Sequence, residues 1–187
     1  MPSPMVTVDG FGVPVEVAGP EKGSVVVVLG AAHQAPAAYD PVCQRLHTAS
    51  LRTVVIGPDP RLTGKSVVGI LDSLDVRWAL LVGDRLGGEL AWELAATRLD
   101  RFIGLVAVDR GHPRVADPAG VIRDEHCPPV ELNTTILVST KAARAMAVAS
   151  QRFVYGEYRI VDLLGRRNAA DSTAQLATEI VMRTSTW

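Results

Sequence analysis

The chain has only two cysteines, Cys43 and Cys127, and they lie far apart in the sequence. Two cysteines are too few for a disulfide framework, and their spacing is not that of a metal-binding knuckle. No run of about 18 apolar residues is present, which argues against a membrane-spanning helix. The amino-terminal residues lack the basic and apolar regions of a secretory signal. We therefore expect a cytoplasmic protein whose thiols are both reduced.

An excess of charge of one sign is also missing, since 19 basic residues face 20 acidic residues. This balance argues against a nucleic acid or an anionic membrane surface as partner. Apolar residues make up 48% of the 187 residues, which is enough for one globular domain over residues 1–187. The surroundings of His47 and His126 have no metal-ligand spacing, so neither a metal nor a cofactor is expected.

Strand and helix patterns alternate along the chain. Apolar and polar residues alternate at 5–9 and 13–17, which predicts an antiparallel hairpin. Buried strands are predicted at residues 24–29, 52–56, 76–82, 102–109, 134–139 and 158–163. Helices are predicted at residues 36–49, 63–74, 87–97, 141–149 and 170–183. The alternation predicts an α/β fold, with a mostly parallel twisted sheet covered by helices on both faces.

The most informative stretch is residues 80–95, where a buried strand leads through the turn Gly-Asp-Arg-Leu-Gly-Gly into an apolar-periodic helix. This stretch resembles the nucleophile elbow of the α/β-hydrolase family. In the family's pattern, G-x-S-x-G, the middle residue is a nucleophile held on a strained strand-to-helix turn. Arg85 occupies that position here. Because arginine keeps its proton and offers no lone pair, it cannot act as an acyl nucleophile.

The resemblance covers residues 25–182 and implies an antiparallel start followed by βα units. Many members of the family insert a lid after the strand that corresponds to residues 102–109. Only the segment 110–133 separates that strand from the next one here. It leaves room for a loop and a short helix but not for a lid domain. The resemblance therefore implies a small, lidless α/β-hydrolase-like domain with a shallow, open pocket.

The other two members of the family's Ser–Asp/Glu–His triad have no counterpart in the sequence. The family's acid follows the strand that corresponds to residues 134–139, but no acidic residue lies between Glu131 and Glu157. The family's histidine follows the last strand, near residues 165–168, but the last histidine of this chain is His126. Each triad member has its own role in the mechanism. The resemblance thus implies a degenerate triad without triad hydrolase activity.

Backbone groups of the family's site do have counterparts. The resemblance assigns the two oxyanion-hole amides to Leu86, after the nucleophile position, and to Ala31, after the strand at 24–29. Gly30 follows a leucine where the family has a histidine. Two interpretations of Gly30 and Gly87 stay open: a retained anion-binding role, or a backbone that needs glycine for its conformation or close packing.

The sequence leaves open which group balances the positive charge of Arg85. The resemblance places it at the positive end of a helix, where a cation is unfavourable, and a partly buried arginine needs a partner. An internal carboxylate is one solution, with Asp109 as first candidate and Asp59 and Asp84 behind it. A bound anion held by Arg85 and the helix amides is the second solution. The third is an exposed Arg85 without a role.

Further polar side chains are expected at the carboxyl ends of the strands, where ligands of open α/β sheets bind. His33 or His112 beside Asp109 would form a base–orienter pair for proton transfer. Alternatively, both histidines are surface residues or bond within turns. Arg110 is expected at the same edge. The arginine pair at 166–167 stands where the family's histidine would be, and we interpret it as solvated turn charge.

Three hypotheses for the function follow. In the first, the protein binds a small anionic ligand or a protein partner without hydrolysis. In the second, it is an enzyme of another mechanism acting on a small carboxylate, ester or thioester, with Arg85 as anion clamp and His33 or His112 as proton shuttle. In the third, it is a structural subunit of a homo-oligomer, packed through an apolar rim. The candidate ligand contacts are Gly30, Ala31, His33, Arg85, Leu86 and Asp109.

Overall fold

A computed structural model describes residues 3–163 and 169–185 of the chain. Its strands are β1 (Ser3–Val6), β2 (Gly12–Ala18), β3 (Val25–Leu29), β4 (Arg52–Ile56), β5 (Ala79–Asp84), β6 (Phe102–Val108), β7 (Asn133–Val138) and β8 (Tyr158–Asp162). Its α-helices are α1 (Asp40–Thr48), α2 (Gly64–Ser73), α3 (Leu86–Thr97), α4 (Lys141–Ser150) and α5 (Ala169–Thr184). The predicted arginine pair at 166–167 lies outside the described residues.

The strands form one sheet in the order β1-β2-β4-β3-β5-β6-β7-β8. β1 and β2 pair antiparallel, and β2 pairs antiparallel with β4. All later pairs in the sheet are parallel. The central strands are runs of apolar residues because helices cover both of their faces. The predicted fold class is confirmed.

Two apolar cores lie on the two faces of the sheet. On one face, α2, α3 and α4 bury side chains such as Val67, Trp92 and Ala147. On the other face, α1 and α5 bury Leu46 and Ile180. Successive strand residues point to opposite faces, so each central strand contributes to both cores. This confirms the predicted helices on both faces.

Element ends differ from the sequence prediction where local turn chemistry intervenes. β1 stops at Val6 rather than at residue 9, because the Thr7 amide donates to the Phe11 carbonyl oxygen and Gly10 takes a φ of 88°. The predicted helix at 36–49 begins as a 3₁₀ turn over Pro36–Tyr39 before α1.

The connection from β6 to β7 runs over the carboxyl edge of the sheet and forms part of the wall of a cleft there. It contains no helix, although its length leaves room for a short one, and it pairs with the rest of the fold through a bridge between Val130 and Val154. The segment is described throughout and forms no lid domain. Among the described helices, none has both the length and the apolar character needed to cross a membrane.

Candidate functional site

The turn between β5 and α3 is a strained elbow with Arg85 at its tip. Arg85 has φ 50° and ψ −106°, a conformation that costs a residue with a side chain about 1–3 kcal/mol. Its amide donates to the Val108 carbonyl oxygen at 3.0 Å, and its carbonyl oxygen accepts from the Gly88 amide at 2.8 Å. These bonds to the neighbouring strand and to the helix hold the tip in place.

Close backbone packing beneath the elbow requires glycine at position 87. A Cβ atom there would lie 2.1 Å from the carbonyl oxygen of Leu29, so the first turn of α3 approaches β3 more closely than any side chain allows. The close-packing interpretation of Gly87 therefore accounts for this residue. Gly30 has more room, because a Cβ atom on it would lie 3.2 Å from the Tyr39 ring. The Gly30 amide donates to the Ile56 carbonyl oxygen at 3.2 Å.

The guanidinium of Arg85 pairs with Asp84, its neighbour in the chain. The Arg85 Nε donates to Asp84 Oδ1 at 3.1 Å, and the side chain of Arg85 is 57% exposed. Asp109, the first candidate for this role, is the wrong partner. Its carboxylate accepts from the Ser139 amide at 2.7 Å and from the Ser139 hydroxyl at 2.5 Å. The positive φ of Asp109, 55°, accompanies this turn of its carboxylate toward the end of β7.

Asp84 also ends a buried chain of hydrogen bonds that reaches the predicted oxyanion loop. The Tyr39 hydroxyl donates to Asp84 Oδ2 at 2.7 Å and accepts from the Ala31 amide at 2.7 Å. Burial first, and then the charge of Asp84, raise the pKa of Tyr39 well above its usual range. In this structure the Ala31 amide is thus engaged by Tyr39 and has no capacity left for an oxyanion. Leu86 is the first residue of α3, so its amide has no acceptor within the helix.

The two candidate proton shuttles occupy very different places. His112 is fully buried, its Nε2 lies 2.8 Å from the Pro128 carbonyl oxygen, and its Nδ1 accepts from the Arg114 amide at 3.1 Å. Burial lowers its pKa despite the hydrogen bond to Pro128. Backbone groups therefore occupy both ring nitrogens, and Asp109 is bonded to Ser139, so the predicted base–orienter pair of His112 and Asp109 is wrong. The alternative, that His112 bonds within a turn, is the one that the structure supports. His33 is an exposed residue with φ 62°, and its ring has no bonding partner among the described residues.

A cleft of about 300 Å³ opens beside the elbow at the carboxyl edge of the sheet. Its apolar surface comes from strand ends, the following loops and the first turns of α3, including Leu29, Ile56, Pro58, Leu62, Leu86 and Leu90. Its charged lining residues are Asp59, Glu89, Glu93, Arg123 and Asp124. We call this space the apolar cleft.

A second cavity, of about 330 Å³, is lined by Glu89 and by Arg85. We call it the arginine cavity, because Arg110 lines it as well. Glu89 borders both spaces and pairs with Arg110 at 3.2 Å and with Arg123 at 3.8 Å. This ion cluster separates the two spaces. The terminal nitrogens of Arg85 have no bonded partner in the described part of the chain.

Several residues of the site escaped the sequence analysis. Ser139 directly follows the strand next to β6, so the rule that neighbouring parallel strands end at one edge could have paired it with Asp109. Tyr39 and Glu89 carry no comparable signal, because a tyrosine or a glutamate in a predicted helix is common and does not by itself indicate a site. Asp59 was a candidate partner of Arg85 but pairs with Arg61 at 2.9 Å. Residues 3–163 and 169–185 contain no cluster of His, Cys, Asp and Glu suited to a metal ion.

Solved structures of similar fold cover nearly the whole chain. An esterase from Exiguobacterium antarcticum matches with a TM-score of 0.80 at 13% identity, over 100% of both chains. Epoxide hydrolase A from Mycobacterium thermoresistibile matches with a TM-score of 0.78 at 11% identity, over 100% of this chain and 99% of that one. An α/β hydrolase from Sphaerobacter thermophilus matches with a TM-score of 0.72 at 14% identity, over 97% and 100%.

The protein therefore has the α/β-hydrolase fold, as its sequence suggested. No protein-family model and no curated protein sequence matches the chain. At these identities the likeness concerns the fold, and function has to be argued from the site itself.

Proposed function

We propose that this protein binds a small molecule at the carboxyl edge of its sheet and does not catalyse acyl transfer. One observation carries the proposal: the tip of the elbow bears Arg85, held by Asp84, in the strained conformation that would present a nucleophile. A guanidinium stays protonated in proteins and has no lone pair with which to attack a carbonyl carbon. The elbow thus presents a hydrogen-bond donor where a hydrolase needs a nucleophile.

The groups that would assist a nucleophile are committed elsewhere. The Asp109 carboxylate is bonded to Ser139, and both ring nitrogens of His112 are bonded to backbone atoms. The Ala31 amide donates to Tyr39. A general base must reach the proton that it abstracts, and an oxyanion hole needs free donors. The His33 ring and the Leu86 amide are uncommitted among the described residues. Asp109 and the Ala31 amide, which would complete a base–orienter pair and a two-amide oxyanion hole, are both engaged, and this favours binding over turnover.

The arginine cavity favours a small anion as one ligand. Arg85 lines this cavity together with Arg110, and its two terminal nitrogens lack partners among the described residues. A planar guanidinium binds carboxylate or phosphate through two parallel hydrogen bonds. Three carboxylates also line this cavity. Asp109 accepts from Ser139, Glu89 pairs with Arg110, and Asp117 accepts from the amides of Ala119 and Val121. Arg85 is the lining residue whose two terminal nitrogens both lack a partner in the described part of the chain.

Ester turnover tests the main proposal. Stopped-flow assays with p-nitrophenyl acetate and butyrate should show no burst of nitrophenolate from the wild-type protein. The steady rates of wild type and Arg85→Ala should be the same. A burst that matches the protein concentration would demonstrate a covalent acyl intermediate and overturn the proposal.

Thermal unfolding with phosphate and acetate tests the anion. Both should raise the melting temperature of the wild type and leave that of Arg85→Gln unchanged, since a ligand that binds only the folded state stabilises it. Arg144→Gln is the matched control, because Arg144 is 50% exposed, pairs with Asp162 at 2.8 Å and does not line the cavity. Equal shifts in all three proteins would exclude Arg85 as the anchor.

A further inference from the structure

We infer that the apolar cleft takes an apolar molecule that carries one positive charge, such as an alkylammonium ion. The inference rests on the proposed binding function, and it assigns to the cleft a ligand of opposite charge to the anion proposed for the arginine cavity. It follows from three properties of the cleft. Its walls are apolar, its charged lining residues are mostly acidic, and two of its carboxylates lack a basic partner in the described part of the chain.

The walls determine the body of the ligand. Leucine, isoleucine and proline side chains from strand ends, loops and α3 line the cleft, and its volume of about 300 Å³ falls at the lower end of ligand pockets. Removing apolar surface from water is the main source of affinity in such a space. A short alkyl or aryl group therefore fits the cleft better than a fully polar molecule does.

The charged residues of the cleft are predominantly acidic. Arg123 is the one basic residue that lines it within the described part of the chain, and Asp59, Glu89, Glu93 and Asp124 face it. Arg123 is directed away from a ligand, since it pairs with Glu89 and donates to the Gly111 carbonyl oxygen at 2.9 Å. An anion in the cleft would meet carboxylates without a free counter-charge.

Two of the carboxylates remain available. Asp59 is bonded to Arg61, and Glu89 to Arg110 and Arg123. Glu93 and Asp124 have no basic side-chain partner among the described residues, although Asp124 Oδ1 accepts from the His126 amide at 2.9 Å.

Glu93 and Asp124 both belong to the wall of the apolar cleft, and both act on the buried Cys127. Burial, and then the charges of Asp124 and Glu93 in that order, raise the pKa of Cys127 to about 11. The Cys127 amide donates to the Asp124 carbonyl oxygen at 3.3 Å. An ammonium group at this wall would be attracted by both charges while its alkyl chain lies against the apolar residues.

Three ligands with the same six-carbon chain separate charge from apolar contact. Calorimetric titration of the full chain with hexylammonium, hexan-1-ol and hexanoate should give the tightest binding for hexylammonium. Because Glu93 and Asp124 are both exposed, we expect about a fivefold advantage over hexan-1-ol, the size of one ion pair in contact with water. Raising the salt concentration should weaken the binding of hexylammonium and leave the binding of hexan-1-ol unchanged.

Glu93→Gln and Asp124→Asn should each remove most of the advantage of hexylammonium without changing the binding of hexan-1-ol. Glu125→Gln is the matched control, because it removes the same charge from an exposed residue next to Asp124 that does not line the cleft. Melting temperatures of the three variants verify that each remains folded.

The outcomes distinguish this inference from the proposal on which it rests. Equal binding of the three ligands, or preference for hexanoate, would refute a positively charged ligand. The proposal of a non-hydrolytic binding protein would remain. Failure of all three to bind would overturn the cleft as a ligand site, while the test of Arg85 with anions stands apart. A burst of ester hydrolysis would overturn the proposed function whatever the titrations show.

Discussion

Replacing Tyr39 with phenylalanine removes one hydroxyl that connects the two sides of the site. That hydroxyl is the acceptor of the buried Ala31 amide and a donor to the Asp84 carboxylate, both at 2.7 Å. Ala31 is 3% exposed and Asp84 is 8% exposed, so water replaces neither bond easily. An orphaned buried amide costs about 1–3 kcal/mol, and a hydrogen bond to a charged group contributes about 1.5–3 kcal/mol.

These two losses share one hydroxyl and partly relax together, so we expect Tyr39→Phe to lower the free energy of unfolding by about 3 kcal/mol. With a urea m-value of about 2 kcal/mol/M, the midpoint of unfolding should fall by about 1.5 M. The slope m should stay the same, because the change does not alter how much surface unfolds. The Asp84→Asn partner mutation completes a double-mutant cycle, in which the coupling should exceed about 1 kcal/mol.

Tyr155→Phe is the control for this measurement. Tyr155 is 70% exposed, and loss of a hydroxyl at such a position changes stability by less than about 0.5 kcal/mol. A Tyr39→Phe protein as stable as Tyr155→Phe would refute the hydrogen-bond chain. The Ala31 amide would then be free for an oxyanion after all.

Three further predictions concern the elbow and its support. Gly87→Ala should cost at least about 3 kcal/mol, because its Cβ would lie 2.1 Å from the Leu29 oxygen, and urea unfolding measures the loss. Because folding lowers the pKa of His112, the unfolded chain takes up a proton on this residue at a higher pH than the folded chain does. The free energy of unfolding should therefore fall as the pH drops from about 6.5 toward the lower pKa of the folded state, by up to about 1.4 kcal/mol per pH unit. Arg85→Ser should place a hydroxyl at the tip without ester turnover, as stopped-flow assays would show.

Matched variants make each of these outcomes specific. Gly12→Ala introduces the same methyl group where nothing lies within 4 Å and should leave stability nearly unchanged. His112→Phe should flatten the pH dependence just below pH 6.5, whereas a change at the exposed His126 should leave it as it is. Ester turnover by Arg85→Ser would mean that a base reaches the elbow, contrary to the geometry of His112.

The fold could be predicted from the sequence because its determinants are local. The β-branched run of β3 and the apolar run of β5 can be buried only as central strands, and the alternation with helices demands parallel pairing. The turn at residues 83–88 identified the elbow, since Gly83 and Gly87 allow the close approach that a strand-to-helix turn requires. Such patterns depend on backbone geometry over a few residues.

The partners of the site residues depended on the tertiary structure. The sequence favoured Asp109 for Arg85, but the adjacent Asp84 holds the guanidinium and Ser139 holds Asp109. A hydrogen bond forms only within a narrow range of distance and angle, so a shift shorter than one side chain decides which partner a carboxylate has. The spacing of residues along the chain does not determine which way a carboxylate points at the end of a strand.

The sequence by itself determined that the elbow carries an arginine, that no histidine follows His126, and that strands and helices alternate. Only the tertiary structure decided that His112 is buried with both nitrogens occupied, that the Tyr39 hydroxyl binds the Ala31 amide, and that Glu89 borders two cavities. Residue identity and periodicity are written in the chain. The availability of a polar group is set by the neighbours that folding brings to it from distant parts of the chain.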